Sequence, residues 1–164
     1  MTQFRQLLLA CGVTLLAYQA TAQSVSRTRD GNNALIGAWL IVETTITTSD
    51  ETTVIENPQP GLYIFTERHF STMLVPGESR ELFSAARTAD ERLAAYDNFV
   101  ADAGTYKLQD STLITDNIIA KIPNGMEARI SYRYSFNDGD LLLTLEGAWA
   151  PPGGSITYRL ERLE

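Results

Sequence analysis

Cysteine and histidine are almost missing from this sequence, which has one of each in 164 residues: Cys11 and His69. Cys11 lies in the apolar segment at the start of the chain, so the remainder has no thiol for a disulfide, a thiolate metal site or a cysteine nucleophile. A zinc site needs several ligands of the His and Cys type. We therefore predict no metal site.

Glycine-rich phosphate loops, dinucleotide-binding fingerprints and a Gly-x-Ser-x-Gly elbow are also missing. These motifs hold phosphates or expose a nucleophilic serine, because glycine lets the backbone approach the reacting group closely. We predict no cofactor and consider serine hydrolase chemistry disfavoured.

Basic residues are outnumbered, with 13 Lys and Arg against 20 Asp and Glu and a formal net charge of −7. Nucleic acids and anionic membrane surfaces reward clustered positive charge. We predict no nucleic-acid partner, and we interpret the acidic balance as a contribution to solubility rather than as an acidic binding face.

Long apolar runs are missing except near the start, where residues 7–18 form an apolar stretch after Arg5. Ala20-Thr21-Ala22 then offers the small residues that a signal peptidase reads, and the stretch is too short to span a bilayer. We predict a cleaved signal peptide at 1–22 and an exported protein, periplasmic or secreted, without a transmembrane segment in its mature form.

A lipoprotein anchor through Cys11 is the minor alternative, because residues 8–12 (Leu-Leu-Ala-Cys-Gly) loosely resemble a lipidation box. Only five uncharged residues separate Arg5 from Cys11, fewer than the 7–15 of a normal apolar region of a signal peptide.

Most of the remaining chain has the composition of short strands joined by tight turns. Residues 23–33 are polar and aperiodic, which predicts a flexible tether before a domain at 34–164. The clearest alternation lies at 129–136, where apolar and polar residues take turns before the Asp138-Gly139 hairpin turn.

One segment differs, because Thr88 and Glu91 have the spacing of a capping box. Apolar residues recur beyond it at helical spacing through Leu93, Tyr96 and Val100. We predict a helix at about 89–101 that covers part of the sheet or a barrel mouth.

These elements predict an all-β fold: an antiparallel β-barrel of about 8–10 short strands, with one helix between the fourth and fifth strands. One apolar face repeated along many strands favours a sheet that closes on its own apolar side. Closure also removes exposed strand edges.

Three parts of the sequence resemble the bacterial lipocalin-like domain family, whose members have a calycin-like barrel. They are Gly37-Ala38-Trp39, the segment from Pro58 through Ser71, and a series of short matches from Ala94 to Leu141. The resemblance implies a lipocalin-like barrel whose interior can hold a small apolar molecule. It also implies that Gly37 and Trp39 close one end of the barrel, with a basic residue of the last strand, Arg159 or Arg162, over the indole.

The candidate ligand-binding residues are His69 and four tyrosines. Aromatic residues on several strands suit a small-molecule cavity, because each has an apolar ring and a hydroxyl. We predict Tyr106, Tyr132 and Tyr134 in the cavity wall, and Tyr63 and His69 nearer its mouth. The tyrosines could equally fill the core, and we favour an interior that is filled or nearly filled.

Three functions remain open at this stage. The first is binding of a small, mostly apolar ligand without chemistry. The second is an isomerase- or cyclase-like reaction, which the resemblance implies for some relatives, using His69 with Glu67 or Glu43; the single histidine argues against it. The third is a protein-interaction module of the cell envelope. The sequence does not predict an oligomeric state.

Overall fold

The computed structural model describes residues 33–77 and 82–164. The predicted signal peptide and all of the predicted tether except Asn33 lie outside the described residues. The described part contains nine strands, one α-helix and two short 3-10 turns, Pro123–Gly125 and Gly147–Trp149. The strands are β1 (Gly37–Thr47), β2 (Thr52–Glu56), β3 (Gly61–Phe65), β4 (His69–Leu74), β5 (Val100–Gln109), β6 (Thr112–Ala120), β7 (Arg129–Asn137), β8 (Asp140–Glu146) and β9 (Ser155–Arg162). The helix, α1 (Ala89–Asp97), lies between β4 and β5 as predicted.

All strand pairings are antiparallel, and the pairing of β1 with β9 closes the sheet. The first part of β1 pairs with β3, whereas its last five residues pair with β2 on the same side. Eight strands therefore form a closed barrel, and β2 extends the wall beside β3. This confirms the predicted fold class.

Alternation along the strands fills the barrel with apolar side chains. On β8, for example, Leu141, Leu143 and Leu145 are buried, while the residues between them are less so. The buried core also includes Leu35, Trp39, Ile41, Tyr63, Phe65, Phe70, Leu74, Tyr106, Leu113, Ile130, Tyr132 and Leu160. Large residues on one face of every strand give the driving force for closure, since burying each such side chain contributes about 1.5–3 kcal/mol.

Trp39 lies near one end of the barrel, fully buried, and its Nε1 donates a hydrogen bond to the Leu35 carbonyl at 2.8 Å. Arg162 covers its ring, with the guanidinium carbon 4.0 Å from the ring centre. The same guanidinium donates hydrogen bonds to the carbonyls of Ala34 and Ile36. It therefore joins the indole to the segment that precedes β1.

Arg159 does not lie over the Trp39 indole. Of the two arginines predicted for this role, Arg162 takes it. Arg159 binds Asp140 at 3.0 Å and Glu43 at 3.4 Å. Residues three apart on a strand face opposite sides, so only one of the two arginines can reach the indole. Gly37, at the start of β1, has a φ of 137°. A Cβ there would lie 2.2 Å from the Glu164 carbonyl oxygen, so the position has no room for a side chain.

Helix α1 begins with the predicted capping box: the Thr88 side chain accepts from the Glu91 amide, and Glu91 accepts from the Thr88 amide. The helix ends at Asp97 rather than 101, because Val100 already pairs with Leu74 in the sheet. None of its residues is buried, so the apolar stripe is not a core face. Tyr96 instead contacts Lys121, just beyond β6.

The described ranges contain no helix with both the length and the apolar character needed to cross a bilayer.

Candidate functional site

A small pocket lies where β2 and the late part of β1 meet β9 and the segments around Pro58 and Leu74. Its volume is about 80 Å³, and it opens partly to solvent. Its lining includes Ile41, Ile46, Ile55, Leu74, Ile156 and Tyr158, together with the polar residues Thr44 and Gln59. A cavity of about 150 Å³ can hold benzene, so this mouth pocket suits the end of an apolar molecule rather than a large ligand.

Three tyrosines lie together inside the barrel next to the mouth pocket. Tyr158 lines the pocket, and its ring centre is 6.3 Å from that of Tyr63. Burial raises the pKa of Tyr63 well above its usual value, and the nearby phenols of Tyr132 and Tyr158 add to this shift. Burial likewise raises the pKa values of Tyr132 and Tyr158. All three therefore keep their protons at neutral pH and can donate hydrogen bonds.

Polar side chains on β4, β5 and β6 form a second interior feature, which we name the acceptor wall: Thr72, Asp102 and Asn117. Thr72 lies directly opposite Asp102 in the pairing of β4 with β5 and opposite Tyr63 in the pairing of β3 with β4. Thr72 is 3% exposed and Asn117 is 5% exposed. Three neighbouring strands thus present Tyr63, Thr72 and Asp102 to the interior at one level.

Two oxygens of the acceptor wall, Thr72 Oγ1 and Asn117 Oδ1, have no hydrogen-bond partner within the described part of the chain. The Thr72 hydroxyl lies near the Tyr63 phenol and lowers the pKa of that phenol, but the two groups do not have the geometry of a hydrogen bond. Asn117 uses its Nδ2 to donate to the Gly125 carbonyl at 3.0 Å. Buried polar atoms normally have partners, so these two oxygens mark a place suited to a polar ligand group.

Asp102 supplies the only carboxylate of the acceptor wall and is half-buried. Burial raises its pKa above the ordinary value, against the opposing effects of the Asn117 amide and the Lys121 ammonium. Lys121 itself donates to the Tyr96 carbonyl at 2.5 Å and lies over the Tyr96 ring. The ammonium is therefore held toward α1, and Asp102 forms no salt bridge among the residues described.

A family model described as the lipocalin-like domain matches residues 36–155, which is most of the chain and almost the whole barrel. The chain belongs to the lipocalin-like domain family. This confirms the resemblance found in the sequence.

Two solved structures are similar to this lipocalin-like protein at low sequence identity. One is a lipocalin-like protein from Bacteroides uniformis, with 12% identity and a TM-score of 0.46, covering 79% of this chain and 99% of that one. The other is an uncharacterized protein from Bacteroides eggerthii, with 10% identity and a TM-score of 0.41, covering 76% of this chain and 98% of that one. A search of curated proteins returned no match.

Of the tyrosines predicted for the cavity of this lipocalin-like protein, the structure brings Tyr63 and Tyr132 together. Tyr106 also faces inward, but its hydroxyl donates to the Thr66 carbonyl at 2.6 Å and accepts from Asn33 at 2.7 Å. Tyr134 is half-buried and donates to the Asp110 carbonyl at 3.2 Å. None of the four predicted tyrosines lines the mouth pocket, whose lining instead includes Tyr158.

His69 lies on the outer face of the lipocalin-like barrel. It is exposed at the start of β4, opposite Thr105, while its neighbour Phe70 is buried inside. Glu43, one of its proposed catalytic partners, binds Arg159 instead. His69 therefore cannot reach a molecule held inside the barrel, and the isomerase-like hypothesis loses the residue on which it depended.

No cluster of three or more His, Cys, Asp or Glu side chains suited to a metal ion occurs in 33–77 and 82–164.

The acceptor wall was not found from the sequence. Asp102 lies two residues before Gly104 and four before Tyr106 on β5, all at inward-facing positions. Extending that alternation backward from Tyr106 would have placed Asp102 inside. The predicted helix ran to about 101, so Asp102 fell just beyond its end and had no assigned face.

Proposed function

We propose that this lipocalin-like protein binds a small, mostly apolar molecule in the mouth pocket and does not transform it. The partly open pocket of about 80 Å³, lined mainly by aliphatic side chains with Tyr158 among them, carries this proposal. Burying each methylene of a ligand contributes about 0.8 kcal/mol, so a short alkyl chain gains enough for weak but measurable binding.

The test compares the wild type with two tryptophan variants of β2. Ile55→Trp places a large ring in the mouth pocket, because Ile55 lines it. Val54→Trp is the matched control. Val54 is next to Ile55 in the chain but is 52% exposed and does not line the pocket. The probe is 1-pentanol, and its binding is followed by NMR titration of the backbone amides.

We expect 1-pentanol to shift amide signals around Ile41, Leu74 and Ile156 in the wild type and in Val54→Trp. Binding should weaken about tenfold or more in Ile55→Trp, because a filled pocket leaves no space for the ligand. Absence of any binding to the wild type, or equal binding by Ile55→Trp, would contradict the proposal.

Export is part of this proposal and is supported by the N-terminal pattern of Arg5, the apolar run at 7–18 and Ala20-Thr21-Ala22. Expression in a bacterial host followed by mass spectrometry of the periplasmic protein checks it. A mature chain that begins at Gln23 is expected, and a lipidated chain that begins at Cys11 would show the alternative.

A second candidate function, docking of another protein, is favoured by exposed apolar side chains at the end of β6. Ile118 and Ile119 are 61% and 60% exposed, and Ile122 and Met126 follow nearby. Sedimentation of the wild type against Ile119→Lys tests for self-association through this surface. A monomer at all concentrations would exclude a second copy as the partner.

A further inference from the structure

We infer that the acceptor wall binds the head group of the ligand, and that this head group is a primary amine carried on a short apolar tail. The inference rests on the proposed function, because the tail would occupy the mouth pocket.

Thr72 and Asp102 of the acceptor wall lie side by side next to Tyr63, and Asn117 lies opposite Gly104, the next inward position along β5. Tyr63, Thr72 and Asp102 face inward from β3, β4 and β5 in direct register. Neighbouring strands are about 4.7–4.9 Å apart, so these side chains extend into the interior within reach of one small group. Asn117 joins them from β6, where it follows the inward-facing Thr115 at the next position of the alternation.

The chemistry of the acceptor wall favours a hydrogen-bond donor. Asn117 Oδ1 only accepts, Thr72 Oγ1 can accept, and an ionised Asp102 only accepts. An ammonium group has three N–H donors, which match three such oxygens. A carboxylate or phosphate head would instead meet the negative charge of Asp102.

The mouth pocket and the acceptor wall are close enough for one ligand to occupy both. Leu74 lines the pocket, and Thr72 is the next inward residue along β4. Two residues of a strand span about 7 Å, which about four to six carbons of an extended chain can cover. Tyr158 lines the pocket, Tyr63 lies opposite Thr72, and the centres of their two rings are 6.3 Å apart.

Charge near the acceptor wall leaves Asp102 open to an added cation. The groups that influence it are the Asn117 amide and the Lys121 ammonium, and the phenol of Tyr132 on β7 feels its charge in turn. Lys121 is engaged by the carbonyl and ring of Tyr96. A ligand ammonium would thus supply the direct ion pair that Asp102 lacks in the part of the protein described.

The experiment compares 1-pentylamine, 1-pentanol and pentanoate, which share a tail and differ in the head group. Affinities are measured by NMR titration for the wild type, Asp102→Asn and Asp116→Asn. Asp116 is the matched control, because it has the same charge as Asp102 but forms an exposed salt bridge with Arg129.

We expect the wild type and Asp116→Asn to bind pentylamine about tenfold or more tightly than pentanol, and to bind pentanoate most weakly. Asp102→Asn should lose the preference for the amine while its affinity for pentanol stays the same. In the wild type, pentylamine affinity should fall as the pH is lowered through the pKa of Asp102, whereas pentanol affinity should not change.

Thr72→Val supplies a second test that keeps the shape of the side chain. Loss of the hydroxyl should weaken pentylamine binding several-fold, and it stands in if Asp102→Asn fails to fold. Pentanol binding without an amine preference, a preference that survives in Asp102→Asn, or an unchanged pentylamine affinity in Thr72→Val would overturn this inference and leave the proposed function in place. If none of the three compounds binds, both are overturned.

Discussion

Asp102 is a carboxylate that the fold keeps partly out of water, and its raised pKa shows that the folded protein holds a proton there more tightly than the unfolded chain does. The stability associated with this group is therefore fully present at low pH and is lost as the pH rises through the ordinary and then the raised pKa. At neutral pH the charged side chain therefore lowers stability.

We predict that Asp102→Asn has a Tm equal to or higher than that of the wild type at pH 7, and that this difference disappears near pH 3. Asp116 should behave in the opposite way, because the hydrogen bond from Arg129 lowers its pKa. Asp116→Asn should lower the Tm at pH 7 and lose its effect in acid. Thermal unfolding followed by circular dichroism across this pH range measures both. A lower Tm for Asp102→Asn at pH 7 would show that the carboxylate stabilises the fold.

Arg162 contributes to stability through its contact with Trp39 and its bonds to two backbone carbonyls. We predict that Arg162→Gln lowers the free energy of unfolding by about 1–3 kcal/mol, the range for a cation–π contact combined with charged hydrogen bonds. Arg133→Gln is the control, because Arg133 forms an exposed pair with Glu146 that should contribute about 0–1 kcal/mol. Urea unfolding measures both, and equal effects would argue against a special role for Arg162.

The part of this arrangement that could be predicted is Trp39, whose place follows from the Gly-x-Trp pattern at the start of the first long strand. The choice between the two arginines could also have been made from the sequence. Arg162 continues the alternation of Ile156, Tyr158 and Leu160, the apolar face of β9, whereas Arg159 lies on the opposite face.

Among the elements, β5 and β6 form a closely approaching pair with an irregularity beside Gly104. A Cβ at Gly104 would lie 2.0 Å from the Asp116 carbonyl oxygen and 2.9 Å from the Ile118 nitrogen, and backbone atoms there cannot move aside easily. The β-bulge therefore depends on glycine, and it lies next to Asn117 of the acceptor wall.

We predict that Gly104→Ala lowers the free energy of unfolding by about 2–4 kcal/mol, because the added methyl forces the two strands apart. Gly139→Ala is the comparison: it has a φ of 97° but no atom within 4 Å of its added methyl, so only backbone strain of about 1–2 kcal/mol applies. Urea denaturation of the two variants gives the difference. A loss of under about 1 kcal/mol for Gly104→Ala would mean that the pair separates without strain.

Helix α1 shows which signals at this scale can be read from sequence. The capping box at Thr88 and Glu91 is a local pattern and fixed the start of the helix correctly. Its end was misplaced because Val100 suits both a helical stripe and a strand, and only the pairing of Val100 with Leu74 decides between them. The same error hid Asp102.

For the whole molecule, the closed barrel could be predicted because alternation and tight turns recur along the entire domain and the lipocalin-like resemblance supplies the topology. The size of the interior space could not. It depends on how side chains from all the strands fill one volume, and a few methylenes separate a filled barrel from one with a pocket of about 80 Å³. A pocket of this kind can therefore be found only from the three-dimensional structure.

The folded domain begins before β1, because residues that precede this strand complete the core of the barrel. Leu35 is fully buried, and its amide and the Tyr106 hydroxyl both bond to the Asn33 side chain. We predict that a chain beginning at Asn33 has the same Tm as one beginning at Gln23.

For a chain beginning at Ile36, we predict that the free energy of unfolding falls by about 3–5 kcal/mol. Loss of the Leu35 side chain leaves a cavity, and loss of its carbonyl removes the group that accepts a hydrogen bond from Trp39. Leu35→Ala in the chain that begins at Gln23 separates the two effects: it creates the cavity, keeps the carbonyl and should cost about 2–4 kcal/mol in urea unfolding. Unchanged stability on removing Leu35 would place the domain boundary at β1 and remove the segment from Asn33 to Ile36 from the core.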